Sequence, residues 1–217
     1  MDLFDHAGLS SAPRRRESLG PGAVLLRGLA LPDAGAVLGE IRDVAAESPF
    51  RHMITPGGFR MSVAMTSCGD LGWVTDRGGY RYQREDPASR RPWPTMPPRF
   101  LHLARSAAAE AGFEDFTPDS CLINRYEPGA RMTLHQDKNE QDFRQPIVSV
   151  SLGLAAVFVF GGEERTDPQT RFRLEHGDVV VWGGPARLRY HGVLPLNDGV
   201  HPLVGGHRLN LTFRKAG

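Results

Sequence analysis

Two different periods of apolar residues in the N-terminal third of the chain predict a helix and a strand. Apolar residues at helical spacing follow Asp33, which suits an N-cap, and they predict a helix that ends near Glu47. A half-exposed strand is predicted from residue 59 to 66, because large apolar residues alternate there with smaller or polar ones: Phe59, Met61, Val63 and Met65 with Arg60, Ser62, Ala64 and Thr66. The short apolar run Ala23–Arg27 predicts a further strand before the helix.

The stretch from Cys68 to Pro98 is dense in glycine, proline, arginine and aromatic residues, which predicts a loop rather than regular structure. A loop of this length inside a domain is usually functional or disordered. It leads into a second predicted helix, which begins at Pro97-Pro98 and ends at Gly112. Residues 1–20 are polar and irregular, so we expect a flexible N-terminal arm there.

After Gly112 the pattern changes to short β-type segments separated by residues typical of turns. This density of strands favours a double-sheet β-fold over a parallel sheet. At 217 residues the chain is within range for one such domain, expected over residues 21–217. The predicted segments are Cys121–Tyr126, Ile147–Leu154, Val157–Phe160, Arg171–Leu174, Asp178–Trp182, Arg189–His191 and His207–Arg214.

Composition and charge narrow the possible functions only slightly. The formal net charge is +1, but residues 51–110 carry nine arginines against five acidic residues. Such a surplus could follow a phosphate backbone, and a solvated arginine-rich surface explains the count equally well. The two cysteines show neither zinc-ligand nor disulfide spacing. There is no membrane-length apolar run and no signal peptide, so we expect a cytoplasmic protein.

A candidate metal site begins at His135 and Asp137, which are two residues apart and therefore share one face of a strand. Two imidazoles and one carboxylate can hold Fe(II) on one side and leave the opposite coordination positions open. This short motif is weak by itself, because a chain of this length can contain it by chance. His191, just after a β-type segment, is a candidate third ligand. Four other histidines compete for that place: His102, His176, His201 and His207.

The pattern that favours His191 is the strand that follows it along the chain. Arg208, Asn210, Thr212 and Arg214 alternate with leucine and phenylalanine, so one face of this strand is polar and carries two cations. If that face is buried, its guanidinium groups need anionic partners. No matching run of acidic residues is present, which favours a bound dicarboxylate, whereas an edge strand with its polar face in water is the alternative. Asn124 and Tyr126 show the same two-residue spacing.

Taken together, these motifs resemble the signature of the AlkB family of 2-oxoglutarate- and Fe(II)-dependent dioxygenases, and they are closest to its bacterial members. The resemblance covers nearly the whole chain after about residue 20. Individual motifs have low specificity, whereas the combination is highly specific. The motifs that carry it are Asn124-Arg125-Tyr126, His135-Gln136-Asp137, His191, Arg208-x-Asn210-x-Thr212-x-Arg214, Thr55-Pro-Gly-Gly, Gly72-Trp73, and the segments 61–66, 147–154 and 176–184.

The resemblance implies a mainly β fold with flanking helices. Its double-stranded β-helix (jelly-roll) core would span about residues 117–217, and a nucleotide-recognition lid would span about residues 50–98. His135, Asp137 and His191 would ligate Fe(II). The residues implied to bind 2-oxoglutarate are Arg208, Tyr126 and Asn210 at its distal carboxylate, and Arg214 and Asn124 at the end nearer the iron.

The resemblance also implies a DNA repair reaction, in which an N-methyl group is hydroxylated and lost as formaldehyde while 2-oxoglutarate and O2 yield succinate and carbon dioxide. Lesions of the 1-methyladenine and 3-methylcytosine type in single-stranded or duplex DNA are the implied substrates, with RNA as a further candidate. Trp73 would stack on the damaged base opposite His135. The other implied substrate positions are Met65 as a pocket wall, Thr55, Tyr80 and Tyr82 beside the flanking backbone, and Thr133 and Arg165 near the base.

Asn139 departs from the bacterial family pattern, which has Asp-Lys-Asp where this chain has Asp137-Lys138-Asn139. The family carboxylate is placed to accept a hydrogen bond from the exocyclic amino group of adenine or cytosine. Asparagine can accept through its oxygen, but it also donates and carries no charge. We therefore expect weaker attraction to cationic bases and a relative gain for neutral lesions such as 1-methylguanine or 3-methylthymine.

Two other functions are compatible with parts of this sequence. The metal and co-substrate motifs are shared by oxygenases that act on RNA, proteins or small molecules, and only the arginine-rich region from Thr55 to Tyr82 favours nucleic acid. A non-catalytic nucleic-acid-binding module would have lost a ligand or an arginine, and here all are present. Manganese or cobalt could replace iron at such ligands. We expect a monomer, since nothing in the sequence indicates an obligate dimer.

Overall fold

Fourteen strands and two α-helices form the regular structure of residues 15–217, the part of the chain that the computed structural model describes. The helices are α1 (Ala34–Glu47) and α2 (Pro98–Glu110). The strands are β1 (Arg16–Gly20), β2 (Ala23–Leu26), β3 (Arg51–Ile54), β4 (Arg60–Gly69), β5 (Gly72–Asp76), β6 (Gly79–Gln83), β7 (Ser120–Tyr126), β8 (Met132–His135), β9 (Ile147–Gly153), β10 (Ala156–Phe160), β11 (Thr170–Leu174), β12 (Val179–Trp182), β13 (His191–Val193) and β14 (Arg208–Arg214).

The strands form two opposed antiparallel sheets and one hairpin. The major sheet has eight strands in the order β1-β2-β12-β9-β14-β7-β4-β3, and the minor sheet has four in the order β11-β10-β13-β8. Strands β5 and β6 pair only with each other. Aromatic residues of the two sheets meet between them, where the Phe158 and Trp182 rings lie 6.1 Å apart. The predicted jelly-roll core with flanking helices is confirmed.

Both helices cover the outer face of the major sheet. Alternate residues of β9 and β14 point outward and pack with Val37, Ile41 and Phe100 of the helices. Phe100 meets Phe213 edge to face, with ring centroids 6.1 Å apart. Each such buried side chain contributes about 1.5–3 kcal/mol to folding. Since this packing uses only one face of each strand, the opposite face of the same strands is available for a site.

The start of α1 differs from its prediction in the role of Asp33. The helix itself is confirmed, but the Asp33 side chain makes no capping hydrogen bond. A 3-10 turn over residues 31–33 runs directly into the helix, so Asp33 already has helical backbone angles (φ −102°, ψ −4°). Its carboxylate instead accepts a hydrogen bond at 2.6 Å from Arg99, which joins α1 to α2.

The region from residue 59 to 98 is more regular than predicted. Strand β4 is not half-exposed, because β7 and β3 flank it and residues 63–68 are buried on both faces. The predicted loop from Cys68 to Pro98 contains the β5–β6 hairpin, which sequence reasoning missed. Its turn is closed by Asp76, whose Oδ1 accepts a hydrogen bond from the Gly78 amide at 2.7 Å. Within the expected lid, β3 and β4 thus belong to the edge of the major sheet and only β5–β6 stands apart.

The prediction of a flexible N-terminal arm is wrong for residues 16–20. Residues 16–20 form β1, which pairs with β2 at the edge of the major sheet, so they are not loosely held. Residues 1–14 of the expected arm lie outside the described residues. Among the described helices, none combines the length and the apolar character that crossing a membrane requires.

Candidate active site

Three side chains from the minor sheet and its following loop converge on one point. His135 ends β8, Asp137 follows it by two residues, and His191 begins β13 directly opposite His135 in the ladder. Asp137 Oδ1 lies 3.8 Å from His135 Nε2, and Asp137 Oδ2 lies 3.7 Å from His191 Nε2. Of the side chains in residues 15–217, these form the cluster able to hold a metal ion, and the four rival histidines lie elsewhere.

The backbone fixes which ring nitrogen each histidine presents to the centre of this cluster. His135 Nδ1 lies 2.8 Å from the Thr133 carbonyl oxygen, and His191 Nδ1 lies 3.0 Å from that of Arg189. Because a carbonyl oxygen can only accept, each Nδ1 must carry the hydrogen. The lone pair of each neutral ring is therefore on Nε2, which faces Asp137. This orientation of ligand histidines by backbone carbonyls is common at metal sites.

The electrostatics of the cluster favour a bound cation. The pKa of His135 is lowered to about 4, first by its burial and second by the neighbouring His191. Burial by itself raises the pKa of Asp137, but the Arg214 guanidinium and the two histidines lower it well below its usual range. Near neutral pH the site thus offers neutral imidazole and an ionised carboxylate. Two nitrogens and one carboxylate oxygen form a donor set that fits Fe(II) with open coordination positions.

The polar face of β14 is buried, and the alternative of an edge strand in water is wrong. This strand lies at the centre of the major sheet between β9 and β7. Arg208 is 1% exposed, and its guanidinium stacks over the Tyr126 ring at 4.9 Å. Only Nη2 has a hydrogen-bond partner, the Ser151 hydroxyl at 3.0 Å, whereas Nε and Nη1 are buried without one. Burial lowers the pKa of Arg208. The Arg208 guanidinium is therefore buried without an anionic partner, and its geometry fits a carboxylate ligand.

Asn210 lies at the centre of a hydrogen-bond network behind the two arginines. Its Nδ2 donates to the Ser149 hydroxyl at 2.8 Å and to the Val150 carbonyl at 2.9 Å. Its Oδ1 accepts from Thr212 Oγ1 at 3.0 Å and from Asn124 Nδ2 at 3.3 Å. Every polar atom of the Asn210 side chain thus has a protein partner, whereas Asn124 Oδ1 has none. This arrangement suits Asn210 to orienting its neighbours.

Arg214 links the polar face of β14 to the metal-ligand cluster. Its Nη2 and Nε donate to Asp137 Oδ2 at 2.7 and 3.1 Å, and its Nη1 is buried without a partner. Its Nε also lies 3.4 Å from Oε1 of Glu140, a buried residue that in turn pairs with Arg187. Sequence reasoning missed Glu140 and Arg187, since no periodicity marks either residue. Their charge and their burial are the only signals, and burial is visible only in the fold.

A cavity of about 400 Å³ connects the cluster and the two arginines to the surface. Seven of the eight predicted substrate residues line it: Thr55, Met65, Trp73, Tyr80, Thr133, Asn139 and Arg165. The exception is Tyr82, which is not among the lining residues. Its hydroxyl donates to Glu140 Oε1 at 2.6 Å instead. Lining residues that sequence reasoning did not single out include Met61, Leu122, Ser149, Phe158, Trp182 and Tyr190.

The mouth of the cavity is aromatic and basic. Trp73 on β5 and Tyr80 on β6 stack with ring centroids 5.7 Å apart and an interplanar angle of 21°. Two other lining residues bring a cation next to a ring: the Arg165 guanidinium lies 5.3 Å from the Tyr190 ring, and its Nη2 donates to the Leu134 carbonyl at 2.7 Å. Flat rings beside a cation can receive a base and its phosphates.

Comparison with known proteins gives consistent results. The family described as the 2OG-Fe(II) oxygenase superfamily matches residues 22–214. The chain is 57% identical over 217 residues to the alpha-ketoglutarate-dependent dioxygenase AlkB of Escherichia coli (strain K12), covering 100% of this chain and 98% of that protein. It is 59% identical over 216 residues to the Salmonella typhimurium protein of the same name, with the same coverage. The solved structure of OsALKBH1 superposes with a TM-score of 0.81 at 28% identity, covering 93% of this chain and 100% of that one.

Proposed function

Because the chain belongs to the AlkB family within the 2OG-Fe(II) oxygenase superfamily, we propose that it repairs DNA by removing N-methyl groups from damaged bases. The chain is an Fe(II)- and 2-oxoglutarate-dependent dioxygenase. The observation that carries the proposal is that one cavity of about 400 Å³ holds all the groups that the reaction needs. At its deep end lie the ligand cluster and a buried, unpaired arginine, and at its mouth lies an aromatic wall beside a cation.

His135, Asp137 and His191 would hold the Fe(II) ion. When bound, Fe(II) supplies the activation of O2 that oxidises the methyl group as 2-oxoglutarate is converted to succinate and carbon dioxide. The residues themselves arrange the reactants. Thr133 and Arg189 keep the histidine Nε2 lone pairs directed inward through their carbonyl oxygens.

Arg208 binds the distal carboxylate of 2-oxoglutarate. Two of its nitrogens, Nε and Nη1, are buried without a partner, and either of them can combine with Nη2 into the fork of two parallel hydrogen bonds that matches a carboxylate. Burial removes competing water and makes the pairing stronger than it would be at the surface. Asn210 orients the neighbouring groups. Arg214 Nη1 and Asn124 Oδ1, both buried without partners, serve the end of the co-substrate nearer the metal.

The mouth of the cavity receives the damaged base after it leaves the helix. Trp73 provides one flat wall of the base site, and His135 provides the opposite one. Methylation at N1 of adenine or N3 of cytosine blocks the pairing edge, so turning such a base out of the duplex costs less than turning out an intact one. Thr55 would face the backbone that flanks the damaged base and Arg165 would lie near the base itself, which agrees with the position of both residues in the cavity lining. After hydroxylation, the product loses formaldehyde and the normal base returns.

Mass spectrometry of a single-stranded oligonucleotide with one 1-methyladenine tests this proposal. The oligonucleotide is incubated with the protein, Fe(II), 2-oxoglutarate and air, beside a His135→Ala control, and parallel samples use duplex DNA and RNA. We expect loss of the methyl mass in the wild type and a fall of at least about 1,000-fold in the control, since metal chemistry contributes several kcal/mol.

Other outcomes would change different parts of the proposal. Decarboxylation of 2-oxoglutarate without demethylation in any of the three nucleic acids would overturn the substrate assignment and leave the dioxygenase assignment intact. A non-catalytic binding module is not favoured, because all three metal ligands and both arginines are present in one cavity.

A further inference from the structure

Tyr82 lies on the same hairpin as the stacked rings of Trp73 and Tyr80, but its hydroxyl bonds to Glu140, outside the hairpin. Trp73 on β5 and Tyr82 on β6 are directly paired across the hairpin ladder. Directly paired residues lie on the same face of a ladder, so the two side chains are neighbours. Trp73 lines the cavity, whereas the Tyr82 hydroxyl donates to Glu140 Oε1 at 2.6 Å. The position of Tyr82 is therefore tied to that of the residue expected to stack on the base.

Glu140 connects the hairpin to two buried cations. Its side chain is 2% exposed, and its Oε2 accepts from Arg187 Nη2 at 3.0 Å. Its Oε1, which accepts from Tyr82, also lies 3.4 Å from Arg214 Nε. A buried carboxylate with this set of donors is held in one orientation, because leaving any of these groups unpaired would be costly. Glu140 therefore transmits the position of Tyr82 to Arg214.

Arg214 needs an anchor besides Asp137. Both of its hydrogen bonds to Asp137 go to the same oxygen, Oδ2, and that carboxylate is also a proposed metal ligand. A metal draws on the negative charge of the carboxylate that holds it, which weakens its hold on Arg214. Glu140 is the other anion within 4 Å of Arg214 among residues 15–217, and it is not one of the three clustered ligands.

We propose that Tyr82 and Glu140 form a positioning relay: the hydroxyl of Tyr82 fixes Glu140, and Glu140 fixes Arg214 for the co-substrate. Tyr82 then acts on 2-oxoglutarate binding from a distance and does not contact the nucleic-acid backbone. The relay rests on the proposed function, in that Arg214 must serve the co-substrate. Since coupling between two sites is reciprocal, bound 2-oxoglutarate also steadies the hairpin that carries Trp73.

Tyr82→Phe is the first variant to test, because it removes one hydroxyl and leaves both buried ion pairs of Glu140 in place. Glu140→Gln would leave Arg187 as a buried cation without an anion, and this variant can fail to fold. Thr75→Val is the matched control. It also removes one hydroxyl from the hairpin, whose hydrogen bond goes to the Ile54 carbonyl at 3.2 Å and has no link to Glu140.

The experiment is calorimetric titration of 2-oxoglutarate into Mn(II)-loaded full-length protein, without nucleic acid and without turnover. We expect Tyr82→Phe to weaken binding about fivefold to tenfold, the size expected for the loss of one typical intramolecular hydrogen bond. Thr75→Val should stay within about twofold of the wild type, as a substitution away from the bonded network does. If Glu140→Gln folds, adding Tyr82→Phe to it should cause no further loss, because both act on one chain of contacts.

Hydrogen exchange supplies a readout that a merely structural tyrosine would not change. Adding 2-oxoglutarate to the Mn(II) protein should slow exchange of the β5–β6 amides in the wild type and in Thr75→Val, but not in Tyr82→Phe. Equal weakening of 2-oxoglutarate binding by Thr75→Val would overturn the relay and indicate general loosening of the hairpin.

Two further outcomes separate the relay from the proposed function. Unchanged 2-oxoglutarate affinity in Tyr82→Phe would overturn the relay, and weaker oligonucleotide binding in the same variant would assign Tyr82 to the backbone instead. In both cases, binding of 2-oxoglutarate by the wild type would still support the proposed co-substrate site. A wild type that binds no 2-oxoglutarate would overturn the proposed co-substrate site, and the relay with it.

Discussion

The deep end and the mouth of the cavity are built from different kinds of structure. At the deep end, Arg208, Asn210 and Arg214 stand on one central strand and are at most 6% exposed. At the mouth, Trp73 and Tyr80 stand on a hairpin that belongs to neither large sheet, and Tyr80 is 47% exposed. Groups at the deep end are held by hydrogen-bonded strands on both sides, whereas those at the mouth are held mainly by one another.

This difference separates two tasks. A co-substrate that is the same in every turnover suits a rigid site with buried, pre-oriented donors. A nucleic acid that varies in strandedness and lesion suits a site on a smaller element, whose residues can change without disturbing the core. Substitutions at the deep end should therefore alter 2-oxoglutarate binding or stability, and substitutions of residues that line the mouth should alter the handling of nucleic acid. Tyr82 is the exception on the hairpin, because it does not line the cavity and contacts Glu140 instead.

Arg208→Met should have the largest effect. It should lower the affinity for 2-oxoglutarate and raise the stability of the ligand-free protein. Affinity for 2-oxoglutarate should fall about 100-fold, because two hydrogen bonds to a charged carboxylate are lost. The ligand-free protein should gain about 1 kcal/mol, since a buried guanidinium without an anion is replaced by an apolar chain of similar length. That gain corresponds to a rise of about 2–4 °C in the unfolding midpoint.

Calorimetry with the Mn(II) protein and differential scanning fluorimetry measure the two effects of this substitution. Arg208→Lys is the control, because it keeps a buried charge without the fork and should bind poorly with no gain in midpoint. A lower midpoint for Arg208→Met would contradict the view that the fork is unpaired in the free protein.

Trp73→Ala should lower kcat/KM for a methylated oligonucleotide about 30-fold, because stacking of one base on an aromatic ring contributes about 1–3 kcal/mol. The affinity of the metal-loaded protein for 2-oxoglutarate should stay the same, since Trp73 stands on β5 and the two arginines stand on β14. Steady-state kinetics and calorimetry measure the two quantities, and Trp73→Phe should retain most of the activity. A parallel loss of 2-oxoglutarate binding would show that the two ends of the cavity are not separable.

Asn139→Asp should change substrate preference at the mouth by a smaller factor. A carboxylate there attracts a cationic base, so the ratio of rates on 3-methylcytosine and 3-methylthymine should rise about threefold to fivefold, the range for one exposed charge pair. Asn139 is exposed, and added salt should therefore reduce the effect. Competition between the two lesions in one reaction, followed by mass spectrometry, gives this ratio directly. An unchanged ratio would refute the role of Asn139.

The last prediction has the smallest expected effect and concerns how the buried carboxylate of Asp86 makes stability depend on pH. Burial by itself raises its pKa, but hydrogen bonds from Arg51, Ser48 and the Ala88 amide lower it below its usual range. A group whose pKa is lowered on folding stabilises the protein above its unfolded pKa, about 4, and this stabilisation is lost as the pH falls through the folded value.

Urea unfolding between about pH 3 and pH 7 measures this contribution. The wild type should lose stability below about pH 4 more steeply than Asp86→Asn, which has no titrating group at this position. Equal slopes for the two proteins would mean that the pKa of Asp86 is the same in the folded and unfolded states.

Strand β14 shows how far local patterns predict the site. Its alternating residues predict one polar and one apolar face, because side chains on a strand point to opposite sides. The same reasoning does not predict that both faces are buried, which depends on β9, β7 and the helices covering them. The hairpin β5–β6 was missed for a related reason. Its many glycines and arginines indicate a loop, and the strands are stabilised by their ladder and by contacts with distant segments, such as that of Tyr82 with Glu140.

By itself, the sequence determined the chemistry available to this protein: two histidines and an aspartate for a metal, two arginines on one strand face, and the family to which these motifs belong. The tertiary structure alone decided that Tyr82 meets Glu140 and that Glu140 meets Arg214. Tyr82 and Glu140 are separated by 58 positions along the chain. Periodicity reports only on neighbours within an element, so contacts that join distant segments are set by how the sheets and the hairpin pack.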